Sequence, residues 1–433
     1  MNRMTAGPII STVLAVLSLS AASAAADTVQ RLEPSTEPIH VRVLFESDPA
    51  HEAVVAWTTT AEGADHRVHV DTEPREGELD AYARNLPSIH SQPYTLRDDE
   101  ADAGMAAWTH NVLLADLEPA TRYYLTVASD GQRSREYYFI TAPDDDRDIE
   151  LLLVGDSRVG ATRTSPDNNR RRVNALMRDL LEDRPNIVAM GHGADYTNRA
   201  HWAQLYWWLK DHAEMTTTQD GRLLPIIPAR GNHDLDVGFE EMFWWPDREN
   251  DYYYATQLSA QVAFITLNTE ISRGGDQRDW LEAQLAELRP RSRWLIGQWH
   301  RPAWPSVRAV SSGAAQREAW VPLFERYGLD LGYEAHDHSL KRTYPIYQGD
   351  IDPQRGVLYI GDGGGGVPQR QPDPSRWFLE VTDRHHHAHI LRFTDDRLEG
   401  AALNHDGEIV DQFTLIHDRR NVADDAELVD VVD

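Results

Sequence analysis

Five times between residues 149 and 338, an apolar run ends in side chains of the kind that hold metal ions. Ile149-Glu150-Leu151-Leu152-Leu153-Val154 runs into Gly155-Asp156, and Ile187-Val188-Ala189-Met190 runs into Gly191-His192-Gly193-Ala194-Asp195-Tyr196. Leu223-Leu224-Pro225-Ile226-Ile227-Pro228 leads to Gly231-Asn232-His233-Asp234. Trp294-Leu295-Ile296-Gly297-Gln298-Trp299 delivers His300, and Leu329-Asp330-Leu331-Gly332 precedes His336-Asp337-His338. Near-continuous apolar runs of this length suit strands covered on both faces. Between them lie helical patterns, such as residues 169–181 with Val173, Leu176, Met177, Leu180 and Leu181 on one face. Strand and helix in alternation predict a layered α/β domain. In such a domain the strand ends converge on the site.

A single histidine or an Asn-His-Asp turn more often makes local hydrogen bonds than binds metal. Five strand ends with ligand-type residues carry more weight together than any one alone. The donors are carboxylate, amide and imidazole, and the chain has no cysteine, so thiolate sites and disulfides are excluded. Such a donor set suits iron, zinc, manganese or a mixed pair. Two ions about 4 Å apart would clamp a phosphate and supply hydroxide near neutral pH.

Residues 35–143 read differently. Val41, Val43 and Phe45 alternate with polar residues, and short β-rich runs follow at 54–60, 66–70, 109–114, 123–127 and 137–141. This predicts an all-β sandwich. Leu117-Glu118-Pro119-Ala120-Thr121-Arg122-Tyr123-Tyr124 resembles the corner of fibronectin type III modules, where a leucine and a tyrosine enter the core. A charged joint near 143–148 separates this sandwich from a second domain spanning 148–417. The tail, 418–433, is acidic, poor in aromatics and reads as disordered. Residues 1–26 read as a secretory signal, with Arg3, an apolar centre and small residues around Ala24, which places the mature chain in the periplasm or outside the cell. No later segment reaches membrane-spanning length. A formal net charge of -28 argues against nucleic acid as a partner. Gly363-Gly364-Gly365-Gly366 lacks the spacing and lysine of a phosphate-binding loop and reads as a tight turn. His385-His386-His387 with His389 reads as a surface cluster.

In their order, Gly155-Asp156, Gly231-Asn232-His233-Asp234, His300-Arg301-Pro302 and His336-Asp337-His338 resemble the motifs of the purple acid phosphatases, within the calcineurin-like metallophosphoesterases. Asp251-Tyr252-Tyr253-Tyr254, Asn268-Thr269-Glu270 and Leu340-Lys341-Arg342-Thr343-Tyr344-Pro345 extend the resemblance. It implies a four-layer α/β domain with two sheets flanked by helices. It also implies two metal ions, iron with zinc, manganese or a second iron. Asp156 and His338 would hold the first, and Asn232, His300 and His336 the second. His233 would act on the phosphate, oriented by Asp234. The family's bridging aspartate, in a Gly-Asp pair, is matched here by Gly191-His192, and its iron-binding tyrosine has no direct counterpart. Two readings stand: Asp195 supplies the bridge, or His192 binds one metal without a carboxylate bridge.

The expected function is hydrolysis of a small phosphate ester, phosphomonoesters before others. The alternatives are a phosphodiesterase or nucleotide hydrolase, and a non-catalytic envelope binding protein.

Overall fold

The computed structural model describes residues 32–158, 168–246 and 251–417. The expected leader and acidic tail lie outside them. The chain first forms strands β1 (Ile39–Leu44), β2 (Ala53–Thr59), β3 (His66–Asp71), β4 (Arg84–Pro87) and β5 (His90–Pro93). A short helix α1 (Asp98–Asp102) precedes β6 (Trp108–Leu114), β7 (Arg122–Ser129), β8 (Gln132–Arg133) and β9 (Tyr137–Ile140). β1, β2, β6 and β5 pair in one sheet, and β4, β3, β7, β8 and β9 in another. Trp57, Val68 and Leu125 fill the space between them. At the corner, Leu117 and Tyr123 are buried, and the Tyr123 hydroxyl accepts the Glu118 N–H at 2.8 Å.

The second domain opens with β10 (Ile149–Val154), α2 (Asn169–Asp183), β11 (Ile187–His192), α3 (Trp202–Met215), β12 (Ile226–Pro228) and α4 (Gly238–Met242). β10, β11 and β12 are parallel neighbours, as fully buried runs require. Then come β13 (Tyr254–Ser259), β14 (Val262–Thr266), α5 (Asp276–Leu288), β15 (Trp294–Trp299), α6 (Ala314–Ala319), α7 (Val321–Tyr327) and β16 (Leu331–Glu334). β17 (Leu340–Thr343), a small hairpin of β18 (Ile346–Tyr347) and β19 (Asp350–Ile351), β20 (Leu358–Gly361) and β21 (Leu379–Asp383) follow. β22 (His387–Phe393), β23 (Arg397–Asn404) and β24 (Ile409–Ile416) return to the first sheet beside β10.

Three apolar cores define the layers. One, with Leu151, Leu153, Phe264, Ile296 and Tyr333, lies between the two large sheets. A second joins β10–β12 to α2 and α3 through Val173, Met177, Leu205 and Trp208. A third packs α5 and α7 on the other sheet through Leu281, Leu285 and Phe324. This is the expected four-layer arrangement with an N-terminal β-rich domain. The two domains share a sheet: β1 lies parallel to β12, and Phe45 N–H donates to the Ile226 carbonyl at 2.9 Å. A ten-stranded sheet therefore runs from β24 to β5 through both.

The histidine cluster is split: His385 and His386 are partly exposed, whereas the other two are not surface residues. His387 and His389 are each 1% exposed, on a strand flanked by β10 and β23, and His389 packs edge-on against Tyr333. A strand covered on both faces buries its alternate residues whatever their polarity.

Candidate metal centre

The parallel strands aim their C-terminal ends at one place. β10 delivers Asp156, the turn after β11 delivers Asp195, and β12 delivers Asn232. On the facing sheet β15 delivers His300, and β16 delivers His336 and His338. The turns are tied together: Asp156 N–H donates to the Ala194 carbonyl at 2.9 Å, and His336 N–H to Asp156 Oδ2 at 2.6 Å.

Four lone-pair atoms converge here. His300 Nε2 lies 3.3 Å from Asp195 Oδ1, 3.1 Å from Asn232 Oδ1 and 3.0 Å from His336 Nδ1. The other nitrogen of His300 donates to the Gly193 carbonyl at 3.0 Å, which fixes the ring and directs Nε2 inward. So many acceptors at contact distance call for a shared cation, a proton on His300 Nε2 or a metal ion in its place. The proton affinity of the site says the same. Burial alone would lower the pKa of His300, but the Asp195 carboxylate overrides it and draws it up to about 10. Asp195 itself, despite burial, is held well below the usual carboxylate range by His300.

The backbone is bent to this purpose. Asp156, Asp195, His336 and His338 all adopt positive φ, at 52°, 58°, 80° and 61°. Non-glycine residues pay about 1–3 kcal/mol each for such conformations, which collect at functional sites. Two glycines allow the close approach. A Cβ on Gly231 would stand 2.5 Å from Asp195 Oδ1, and one on Gly363 would strike the Asp156 carboxylate. The glycine run is thus a strap on the Asp156 turn, where Gly365 N–H donates to the Gly155 carbonyl at 2.8 Å.

Asp195, not His192, joins the ligand cluster. β11 continues through His192, and the left-handed turn comes at Ala194 and Asp195 instead. The His192 ring faces away: Nε2 is 2.8 Å from Ser157 Oγ, and the ring stacks on Tyr196. Burial lowers its pKa to about 3. Tyr196 is turned into an aromatic pocket with Phe239 and Phe243, its hydroxyl donating to the Ala229 carbonyl at 3.2 Å.

Asp234 does not touch the imidazole of His233. Its carboxylate accepts the N–H groups of Asp195 at 2.7 Å, Gly231 at 3.0 Å and Tyr196 at 3.2 Å. His233 Nδ1–H donates to the Asn198 carbonyl at 2.8 Å, leaving Nε2 3.9 Å from Asp195 Oδ2. His233 is partly exposed, as is Asn232, with 31% of the histidine side chain open to solvent.

Arginines to which the sequence assigns no role border the centre. Arg301 is held by both oxygens of Glu270, at 2.8 and 3.0 Å. Arg308 donates to the His336 carbonyl at 2.5 Å and to Asp337 Oδ1 at 2.6 Å. Arg158 Nε lies 3.3 Å from Asp195 Oδ2, and its Nη2 3.1 Å from His338 Nε2. Only the proximity of Arg158 to Asp156 and of Arg301 to His300 in the sequence could have signalled them.

Two family models match the chain: the purple acid phosphatase N-terminal domain over residues 38–141, and calcineurin-like phosphoesterase over 149–340. The chain is a purple acid phosphatase-like member of the calcineurin-like phosphoesterases. Among relatives, the purple acid phosphatase-like chain is 22% identical to purple acid phosphatase 15 of Arabidopsis thaliana over 59% of its own length and 53% of the relative's. It is 24% identical to acid phosphatase type 7 of Danio rerio, over 72% and 78% of the two chains. It thus spans about half of the first relative. A purple acid phosphatase from yellow lupin seeds shares the fold, with a TM-score of 0.73, 20% identity and coverage of 88% and 75%.

The family implies a site for two metals. The second-metal donors Asp195, Asn232, His300 and His336 fit an ion. The first-metal donors Asp156 and His338 are present, 3.1 Å apart, with Arg158 against His338 and Asp195.

Proposed function

We propose that the chain hydrolyses phosphate esters, phosphomonoesters before diesters, with a metal ion held by Asp195, Asn232, His300 and His336. The observation that carries this reading is the convergence of those four donors beside a partly exposed His233. Oxygen and imidazole donors without thiolate suit zinc, manganese or iron. When bound, such an ion supplies Lewis-acid polarisation of a phosphoryl oxygen and activates water.

The protein's own groups take the remaining tasks. His233 keeps its Nδ1 proton on the Asn198 carbonyl, so Nε2 is the nitrogen that exchanges a proton with the leaving oxygen. Asp234 acts one step back, as a positioning residue that fixes the Asp195 turn. Arg301 and Arg308 border the centre, each already paired with a carboxylate, Glu270 and Asp337, so they offer a phosphate oriented guanidinium N–H donors rather than net charge. A dianionic monoester gains more from them than a monoanionic diester.

The signal-like pattern of residues 1–26 supports an exported location. No helix among the described residues is long and apolar enough to cross a membrane.

The test is turnover of a chromogenic phosphomonoester against the matching diester, with His233→Ala as control. Preference for the monoester, lost in the variant, supports the reading. Faster diester turnover would move the substrate class. A second reading, a binding protein without turnover, is favoured by the arginine across the first-metal donors. It predicts phosphate binding with no hydrolysis of either ester.

A further inference from the structure

The residues of the first-metal position do not fit a second ion. A metal there would need lone pairs from Asp156, Asp195 and His338. The guanidinium of Arg158 already engages two of the three: Nε at 3.3 Å from Asp195 Oδ2 and Nη2 at 3.1 Å from His338 Nε2. Nη1 donates to Asn198 Oδ1 at 3.0 Å. His338 Nε2, which accepts from the arginine, is also 3.1 Å from Asp156 Oδ1, a buried oxygen with no hydrogen-bond donor among the described residues. The Arg158 side chain is only 15% exposed, and Asp195 is fully buried. Three positions after Asp195 stands Asn198, whose amide oxygen faces the arginine, and Tyr196 is occupied with backbone carbonyls.

We infer that Arg158 takes the place of the first metal, and that the chain binds one ion beside a permanent guanidinium. The inference rests on reading Asp195, Asn232, His300 and His336 as a metal centre. An arginine is charged at every working pH and is not lost to chelators. Its three nitrogens, shared among Asp195, Asn198 and His338, hold those groups in place without an ion. The arrangement also answers the buried charge of Asp195, which would otherwise face one ion alone. Arg158 thus becomes a positioning residue for Asp195 and His338.

The test counts ions. The purified full chain is stripped with chelator, reloaded with manganese and dialysed, and bound metal is measured by elemental analysis. Electron paramagnetic resonance reads whether the ions are spin-coupled. The expected result is one uncoupled ion per chain in the wild type and none in His300→Ala. Arg158→Ala, which bares Asp156, Asp195 and His338, is expected to take up a second, coupled ion. Arg158→Lys, which keeps the charge, stays at one. Two ions in the wild type would overturn the inference. So would a folded Arg158→Ala chain that still holds one. No ion in the wild type would sink the metal-centre reading itself, and this inference with it.

Discussion

The Asp234 carboxylate accepts the backbone N–H of Asp195 at 2.7 Å, so one buried acid sets the position of another. Asp234 is paired with main chain rather than with a base. Burial, then the neighbouring Asp195 charge, raises its pKa to about 8. Asp234→Asn keeps the volume but offers an amide N–H where an acceptor is needed. The expected outcome is a loss of metal affinity of about 10–100-fold, the usual cost of losing an outer-shell partner. Calorimetric titration of the stripped chain checks it. Unchanged affinity with lost turnover would return Asp234 to a direct role at His233.

Lys341 is the second lever. Its ammonium is fully buried, 2.6 Å from Glu334 Oε2 and 3.3 Å from Asp362 Oδ2. Asp362 in turn accepts the His338 N–H on its carbonyl at 2.7 Å, and Glu334 Oε1 accepts the Ala303 N–H at 2.6 Å. Lys341→Met leaves two buried carboxylates uncompensated. The expected cost is about 3–5 kcal/mol of stability, read by denaturant unfolding. A cost under about 1 kcal/mol would show that the network is not what holds the His336–His338 turn.

The contact between the β-rich domain and α3 carries a pH signature. Glu100 on α1 accepts from His201 Nδ1 at 2.6 Å and from Ala203 N–H at 2.8 Å. Burial alone would raise the pKa of Glu100, but these partners and the Arg97 N–H hold it below its ordinary value. A depressed carboxyl contributes its stability above the unfolded pKa and loses it as pH falls through the folded one. The difference in melting temperature between wild type and Glu100→Gln is therefore expected to be widest near neutrality and to close in acid. A difference independent of pH would assign the contact to packing alone.

Iron reports on Tyr196. Because its hydroxyl donates to the Ala229 carbonyl and its ring is buried on His192, the iron-loaded chain is expected to lack a visible tyrosinate charge-transfer band. Tyr196→Phe is expected to leave the spectrum unchanged. A band lost in that variant would place the phenolate on the metal.

The sequence exposed the strand ends because a buried parallel strand is an apolar run with an abrupt polar stop. Asp156, Asn232, His300, His336 and His338 all came from that contrast. Asp195 was harder to place, since the turn after β11 falls three residues beyond Gly191, at an alanine with φ of 78° rather than at a glycine. Arg158 was invisible because a side chain's reach is a property of the folded site. The shared sheet was equally hidden: β1 meets β12 only through a pairing between distant parts of the chain.

Titrating metal into the stripped chain while following phosphomonoester turnover tests the account most directly. The prediction is activity that rises with added ion, levels off at one equivalent per chain, and is absent in His300→Ala. Turnover that survives chelation, or that persists in His300→Ala, would contradict it.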